Sequence, residues 1–503
     1  MKNAHEKRLV VACSAVLTAC VIVSGCTAIG PDYQPPKTRI PDTWTAPIPH
    51  GGELAALQDW WAQFEDQTLI NLIEAAEADS PSLQRALASI DSARANLGTA
   101  ESARWPTLNG TGRVNRTRKL GSAGGSGGAL GMTAGQDSIT ATYGTRSVGF
   151  DTSWELDLFG KARRNAEAAE ARLAAQTHDW HEARVSLAAE VADTYVQYRG
   201  CQLLVDVYQQ ELTSMETTDR ATRQSVAAGF TSAADGSRTR ASMAGTQSKL
   251  EAQQVSCRLL MTALQSLTGI APDTLSGWLA QPADHLPKPR AFRIDRVPAD
   301  ALRQRPDVAA LERRLAATSA EIGAAKADLY PGLSLSGDIA LTTYSLLSSS
   351  VRTWSFGPAL TLPIFDGGRR RAVVRRAEAG YRIAYADWRQ GVKKAVREIE
   401  EALVNLDGAN RRRSKAAEAA AMHQAYYESV QAQWQEGGRT LLELEDARRL
   451  ALEAEVEHLG LLRDQVQYWV ALYKAIGGGW SAESIKDEAV PHKVRPRSSS
   501  ATG

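Results

Sequence analysis

Beyond its first 26 residues the chain has no uninterrupted apolar run of the roughly 20 residues that a membrane-spanning helix needs, so a helical span is excluded. An excess of either charge is also missing. Against 58 Lys and Arg stand 57 Asp and Glu, a formal net charge of +1, which excludes the basic field that gathers nucleic acid. Cysteine is scarce: three of the five lie in the first 26 residues, and only Cys201 and Cys257 remain beyond them. The methionines after Met1 are scattered and form no soft-metal cluster. The glycine-rich stretch Gly121 to Gly135 is not followed by the GK[ST] of a phosphate-binding loop and reads as a mobile loop. Proline is absent from Lys161 to Ala228 and again from Arg369 to Glu436, two windows of equal length.

The N-terminus is an export signal, with Lys2, Lys7 and Arg8, an uncharged apolar run, and small residues before a cysteine. Val23-Ser24-Gly25-Cys26 resembles a bacterial lipobox, in which the cysteine is acylated (palmitate-bearing) and becomes the first mature residue. Leu17-Thr18-Ala19-Cys20 fits nearly as well, but charged and proline-rich sequence begins directly behind Cys26 and favours it. An ordinary cleaved signal with incidental cysteines is the alternative. Thr27, where an Asp would favour retention in the inner membrane, points to the outer one.

The chain matches itself. Pro81, Gly98, Trp105-Pro106 and Leu108 pair with Pro306, Gly323, Tyr330-Pro331 and Leu333 at an offset of 225. Phe150, Leu156, Phe159 and Arg163-Arg164 pair with Phe356, Leu362, Phe365 and Arg369-Arg370 at 206. Trp180, Glu190, Gly229 and Gly269 pair with Trp388, Glu398, Gly437 and Gly477 at 208. A repeat held in register over this length implies two equivalent halves.

Each half carries two stretches of period two. In the first, Val148, Phe150, Trp154, Leu156 and Leu158 alternate with small or polar residues, and in the second Trp354, Phe356, Leu360, Leu362 and Ile364 do so. Leu108 to Val114 and Leu333 to Leu341 follow the same pattern, which gives four strands of the length that crosses a hydrocarbon layer at a tilt. Four strands cannot close a barrel and lipid tolerates no open edge, so several copies must contribute. Two would give a filled eight-stranded barrel; three would leave a lumen. The proline-free windows read as helices of about 100 Å. Val191, Tyr195, Tyr198, Val205, Tyr208 and Leu212, like Val396, Ile399, Leu403 and Leu406, make seams with 3-4 spacing along them. Shorter helices are expected from Gly236 to Thr268 and from Asp300 to Leu329, stacked end to end on each other, with a proline-rich linker between them forming a belt.

The stretches CTAIGPDYQPP, WWAQFEDQTLINLI, LRQRPDVAALERRLAATSAEIGAAKADLYPGLSLSG, the repeated LFGKARR and PIFDGGRRR, and the turns AAGFTSAAD and QEGGRTLLELEDA resemble the outer-membrane efflux proteins, the TolC-like channels. The likeness extends to their lipoprotein (NodT-like) branch, which serves tripartite RND-type pumps. The fold class it implies is mixed and mainly α, a trimeric β-barrel with four strands per protomer and twelve in all. That barrel would continue into a long periplasmic α-helical barrel with an equatorial belt and a two-fold internal repeat.

The domains expected are a signal peptide over 1–25 and a lipidated segment and belt over 26–65. A first repeat follows over 66–269 (strands about 106–118 and 141–158, long helix 161–228), then a proline-rich belt linker over 270–299. A second repeat covers 300–477 (strands about 332–343 and 351–364, long helix 369–436), and a disordered tail 478–503.

The implied function is a passive exit duct carrying drugs or other toxic compounds, with no catalysis and no cofactor. Its implied partners are two further copies, a periplasmic adaptor (membrane fusion) protein, an inner-membrane transporter and outer-membrane lipid, but no nucleic acid. A structural coiled-coil lipoprotein without a conduit is the alternative. His178, His181 and Glu182 look faintly like metal ligands but read as surface groups on a helix, with no fourth ligand suggested.

Three sites follow. Cys26 is the lipidation site. Cys201 and Cys257 lie 28 residues before and after Gly229, at one level of a helical hairpin in an oxidising compartment; a disulfide and a pair of buried free thiols both fit. Arg439, Leu442, Glu443 and Asp446, with Asp235 at the corresponding first turn, make the periplasmic aperture that the resemblance implies, Asp446 matching its carboxylate ring.

Overall fold

The computed structural model describes residues 28–36, 60–121, 139–280, 286–287, 302, 305–345 and 349–478. Cys26, the signal segment, the glycine-rich loop from 122, most of the proline-rich linker and the tail after 478 lie outside the described residues. The chain divides into two units. One is Met1–Pro35, Asp91–Leu173 and Arg313–Tyr385; the other is Pro36–Ile90, Ala174–Glu312 and Ala386–Gly503.

The elements run in the order α1 (Gln67–Asp79), α2 (Pro81–Ser102), β1 (Thr107–Gly121), β2 (Ile139–Leu156), α3 (Lys161–Ala227), α4 (Ala233–Thr268) and α5 (Pro272–Leu279). The second half continues with α6 (Pro306–Ala327), β3 (Gly332–Tyr344), β4 (Ser349–Thr361), α7 (Arg369–Gln435) and α8 (Leu441–Ala475). Chain-terminating signals account for several of these bounds. Ser232 caps α4 by accepting from Asp235 N, so the helix starts three residues ahead of Gly236. β4 stops at Thr361, two residues short of Pro363, which has no N–H to give to a ladder. α5 lies inside the proline-rich linker and begins at its Pro272.

In the first unit the strands form one antiparallel sheet in the order β1-β2-β3-β4. Its register pairs Val148 with Leu341, Phe150 with Ile339 and Trp154 with Leu335, then Ile339 with Trp354 and Leu333 with Leu360. Every apolar row therefore falls on one face, and a one-residue slip would send it to the other. Among the described residues nothing covers that face: Phe150, Trp354 and Leu108 are 58%, 78% and 72% exposed. The opposite face is polar, with Asp151 directly across from Asp338 and Asn109 donating to Asp151 at 3.1 Å. β1 and β4 each keep one edge without a strand partner among the described residues.

The second unit is helical. Its core gathers Trp60, Leu69 and Leu72 with Val191, Tyr195 and Tyr198 of α3, Ile399, Leu403 and Leu406 of α7, and Leu472 of α8. These seam residues are buried stripes of the two long helices, each 67 residues, while Val205, Tyr208, Leu212 and Val396 of the same seams are half-buried.

The stacking of the shorter helices differs from the sequence expectation. α4 does not continue into α6. The end of α8 meets the start of α6, where Arg305 Nη1 donates to Ala475 O at 2.8 Å. Likewise the end of α4 meets the end of α1 just ahead of Pro81, with a Cβ on Gly269 standing 2.9 Å from Asp79 Oδ2. The reason is local. Gly269 and Gly477 both have left-handed backbones (φ 68° and 91°), which end their helices and leave no Cβ in the way of the incoming chain. Pro81 and Pro306 then open the next helix at a position that needs no N–H. Each half therefore stacks its own two helices.

Candidate functional site

The two helical hairpins turn in the same way. Gly229 and Gly437 have φ of 78° and 79° and donate to Val226 O and Trp434 O at 3.0 Å, closing their helices in the left-handed manner glycine allows. Beyond each turn a hydroxyl caps the next helix. Ser232 Oγ accepts from Asp235 N at 3.2 Å and donates to Asp235 Oδ2 at 2.6 Å. Thr440 and Glu443 form a reciprocal box, with Thr440 N donating to Glu443 Oε2 at 2.8 Å and Glu443 N to Thr440 Oγ1 at 3.2 Å. Arg439 Nη1 donates to Glu443 Oε1 at 2.7 Å, and Arg439 Nε to Gln433 Oε1 at 2.9 Å. The Thr440 N–H, then Arg439 and the Thr440 hydroxyl, hold the Glu443 carboxyl down at about 2.

Of the expected aperture set, Asp235 and Glu443 thus each bind the capping hydroxyl of their turn, and only Glu443 also accepts from its backbone N–H. Within the chain Arg439 and Glu443 are bonded. Leu442 is exposed, and Asp446 stands apart, with its nearest cation, Arg449, at 3.9 Å.

Sequence reasoning missed the most buried charge in this region. Arg448 of α8 is 1% exposed and reaches across to α3. It donates to Glu445 Oε1 at 2.6 Å and Thr218 Oγ1 at 2.7 Å, lies 3.8 Å from Glu211, and holds its guanidinium 5.4 Å over the Tyr427 ring of α7. Burial pushes the Glu211 carboxyl up to about 7 against the pull of Arg448, and pushes Glu445 up as well. A signal was present. Leu444, Ala447 and Ala451 form the apolar stripe of α8, and position 448 falls on that stripe.

Two further links tie helices together. Arg305, 5% exposed, binds Asp307 at 2.8 Å, Glu398 at 2.7 Å and the Ala475 carbonyl. Burial opposes its charge, but Asp307 and Glu398 hold its pKa above the usual range. Cys201 of α3 and Cys257 of α4 are joined, with Cα atoms 5.6 Å apart, within the span that a disulfide accepts. The stretch around His178 is less exposed than expected. His181 is buried edge-on to Trp180, and Glu182 accepts from Ser186 at 2.9 Å and is pushed up by burial and by Asp307.

Each strand pair hands over to a long helix, and the two junctions differ. At the first, Phe159 stacks on Tyr330 at 4.9 Å, its carbonyl accepts from Ile29 N at 3.1 Å, and Arg164 binds Asp32 and Glu167, both at 2.8 Å. Lys161 pairs with Asp328 at 2.8 Å, Arg163 with Asp157 at 3.2 Å, and Arg172 with Glu321. At the second junction Ile364 and Phe365 are about nine-tenths exposed, at 89% and 91%. There Asp366 caps α7 by accepting from Gly368 N and Arg370 N.

Comparison with known proteins agrees with this architecture. Nodulation protein T of Rhizobium leguminosarum bv. viciae is 29% identical over 92% of this chain and 93% of its own length. Outer membrane protein OprJ of Pseudomonas aeruginosa is 30% identical over 93% and 95%. The solved outer-membrane channel OprN superposes with a TM-score of 0.76 at 31% identity, covering 89% of this chain and all but 1% of its own. The Campylobacter jejuni CmeC outer membrane channel shares the fold, with a TM-score of 0.79 at 20% identity. The family model for outer membrane efflux proteins matches residues 72–270 and 297–478, and the chain belongs to that family.

Proposed function

We propose that this chain is the outer-membrane exit duct of a tripartite efflux assembly. A trimer would be fed by an inner-membrane transporter through a periplasmic adaptor, and would be anchored by an acylated Cys26. The observation that carries the reading is the sheet: among the described residues it has one bare apolar face, one polar face and two edges without a strand partner. In lipid those edges must be paired, and neighbouring copies of β4 and β1 supply the pairing, so that the polar face lines a lumen. Membership of the efflux family sets aside a rod-like lipoprotein without a conduit.

Related pump components are named for toluene, solvents and antibiotics, and small toxic compounds of this kind are the proposed cargo. At the periplasmic end three copies of Asp446 would form a carboxylate ring and Leu442 an apolar plug, which makes the closed duct weakly conducting and cation-selective. Arg439 and Glu443 hold the turn that presents them.

Single-channel recording in planar bilayers tests the duct. Purified protein should conduct, Asp446→Ala should lower cation preference, and Arg439→Ser with Glu443→Ala should raise conductance. No conductance from trimeric protein would overturn the duct, and unchanged values in both variants would overturn the aperture. Mass spectrometry of the mature chain should find an acylated Cys26; an unacylated start elsewhere would remove the anchor.

A further inference from the structure

The start of α7 carries a concentration of positive charge for which the described residues supply little counterpart. Residues 369–382 read RRRAVVRRAEAGYR, six arginines and a single carboxylate. That carboxylate, Glu378, is directed to Lys326 at 3.9 Å, and Arg370 is engaged by Asp366 and the Asp328 carbonyl. Arg369, Arg371, Arg375, Arg376 and Arg382 are exposed and make no ion pair among the described residues. The free N–H groups at the helix start are not the attraction, since Asp366 already takes two of them. Like charges crowded into the first turns also oppose the helix dipole, so the arrangement costs stability unless something negative lies against it.

What precedes these arginines indicates the occupant. The apolar row of β4 (Trp354, Phe356, Leu360) continues past the last strand residue through Leu362 and Ile364, with Phe365 beside them, all exposed. Four residues after Phe365 the arginines begin. A bare apolar row ending in aromatic and basic side chains is the profile of a bilayer's hydrocarbon edge meeting its headgroups. Arg371 and Arg375 are one turn apart on one helix face, close enough to share a phosphate, and Arg369 and Arg376 lie two turns apart along another. The basic residues that open the long helix of the first half, Lys161, Arg163, Arg164 and Arg172, are all paired within the chain, and residues 28–32 lie against that junction.

We propose that the second strand–helix junction is a binding surface for anionic phospholipid headgroups, with Arg371 and Arg375 as its main phosphate ligands. This rests on the membrane-inserted reading of the sheet. The test compares wild type, Arg371→Gln with Arg375→Gln, the charge-preserving Arg371→Lys with Arg375→Lys, and a first-half control, Arg163→Gln with Arg172→Gln. Each is reconstituted in nanodiscs of phosphatidylcholine alone or of phosphatidylcholine with phosphatidylglycerol, and the lipid retained on detergent extraction is counted by native mass spectrometry.

Wild type should retain phosphatidylglycerol in preference to phosphatidylcholine. The double Gln variant should lose that preference by about fivefold per arginine, while the Lys variant and the first-half control keep it. Retention of both lipids alike by wild type, or equal loss in the control, would overturn the proposal. A fall in trimer population of the Gln variant in neutral detergent would reassign the arginines to contacts between copies. Failure of wild type to enter phosphatidylcholine nanodiscs would instead overturn the membrane reading, and this surface with it.

Discussion

The two halves of the chain have the same backbone plan and opposite electrostatics. At the first strand–helix junction four basic side chains each find a carboxylate, and the N-terminal segment lies over the turn. At the second, the same turn is exposed and most of its arginines make no ion pair among the described residues. At the hairpin ends the imbalance recurs: Arg448 is buried and joined to α3, while its counterpart in the first half, Arg240, is exposed and donates to its own helix at the Gly236 carbonyl. Where the helices stack, Arg305 fills a place that Ser80 holds in the other half. The glycines and prolines that set the backbone are common to both halves. Among the described residues, each of these charged links between segments occurs in one half without an equivalent in the other.

That contrast can be broken experimentally. Arg448→Ala strands Glu211 and Glu445 in a site built around a cation, and should cost about 3–5 kcal/mol in denaturant unfolding. Arg240→Ala should change stability by no more than about 0.5 kcal/mol; equal losses would show that the halves are equivalent after all. The Arg305→Ala and Ser80→Ala pair repeats the comparison, with about 3–5 kcal/mol expected against about 1 kcal/mol for a lost cap.

The Cys201–Cys257 link sharpens the comparison in the other direction, because the second half has Ala409 and Gln465 at these places. Reduction should cost about 2–4 kcal/mol, and thiol labelling of the unreduced, denatured chain should find neither cysteine free. Two reactive thiols there would remove the bridge.

A pH scan isolates Glu211. Its folded pKa, about 7, lies above the ordinary 4.5, so the folded state binds the extra proton. Its contribution to stability is therefore full below pH 4.5 and is lost as pH rises to about 7. Glu211→Gln should flatten that slope, and an unaltered slope would assign the effect elsewhere. The smallest effect is expected at the caps. Ser232→Ala and Thr440→Ala should each cost about 1 kcal/mol, the second somewhat more because its box is reciprocal.

Much of the molecule was legible because its signals are local. Period two across Val148 to Leu158 and Trp354 to Ile364 places each side chain on a face whatever the rest of the chain does. Two proline-free windows bounded by glycines announce the long helices, and Gly229 and Gly437 mark their turns. The box of Thr440 and Glu443 spans four residues and was open to a local reading, but Glu443 was read only as part of an aperture. The stacking was misread because helix lengths alone were compared. The pairing of Gly269 with the residues before Pro81, and of Gly477 with those before Pro306, is a contact across more than 150 residues that no local pattern encodes.

By itself, then, the sequence determined the elements, their faces and the two-fold plan, since each depends on backbone chemistry and periodicity within a few turns of chain. Tertiary structure alone decided which charges are neutralised. Arg164 is satisfied because Asp32 is brought to it over 132 positions, and Arg448 because Thr218 and Glu211 arrive from another helix. Among the described residues no carboxylate comes to Arg371 or Arg375. An arginine's partner is chosen by whatever the fold sets within a few ångströms of its guanidinium, and on that scale distance along the sequence has no meaning.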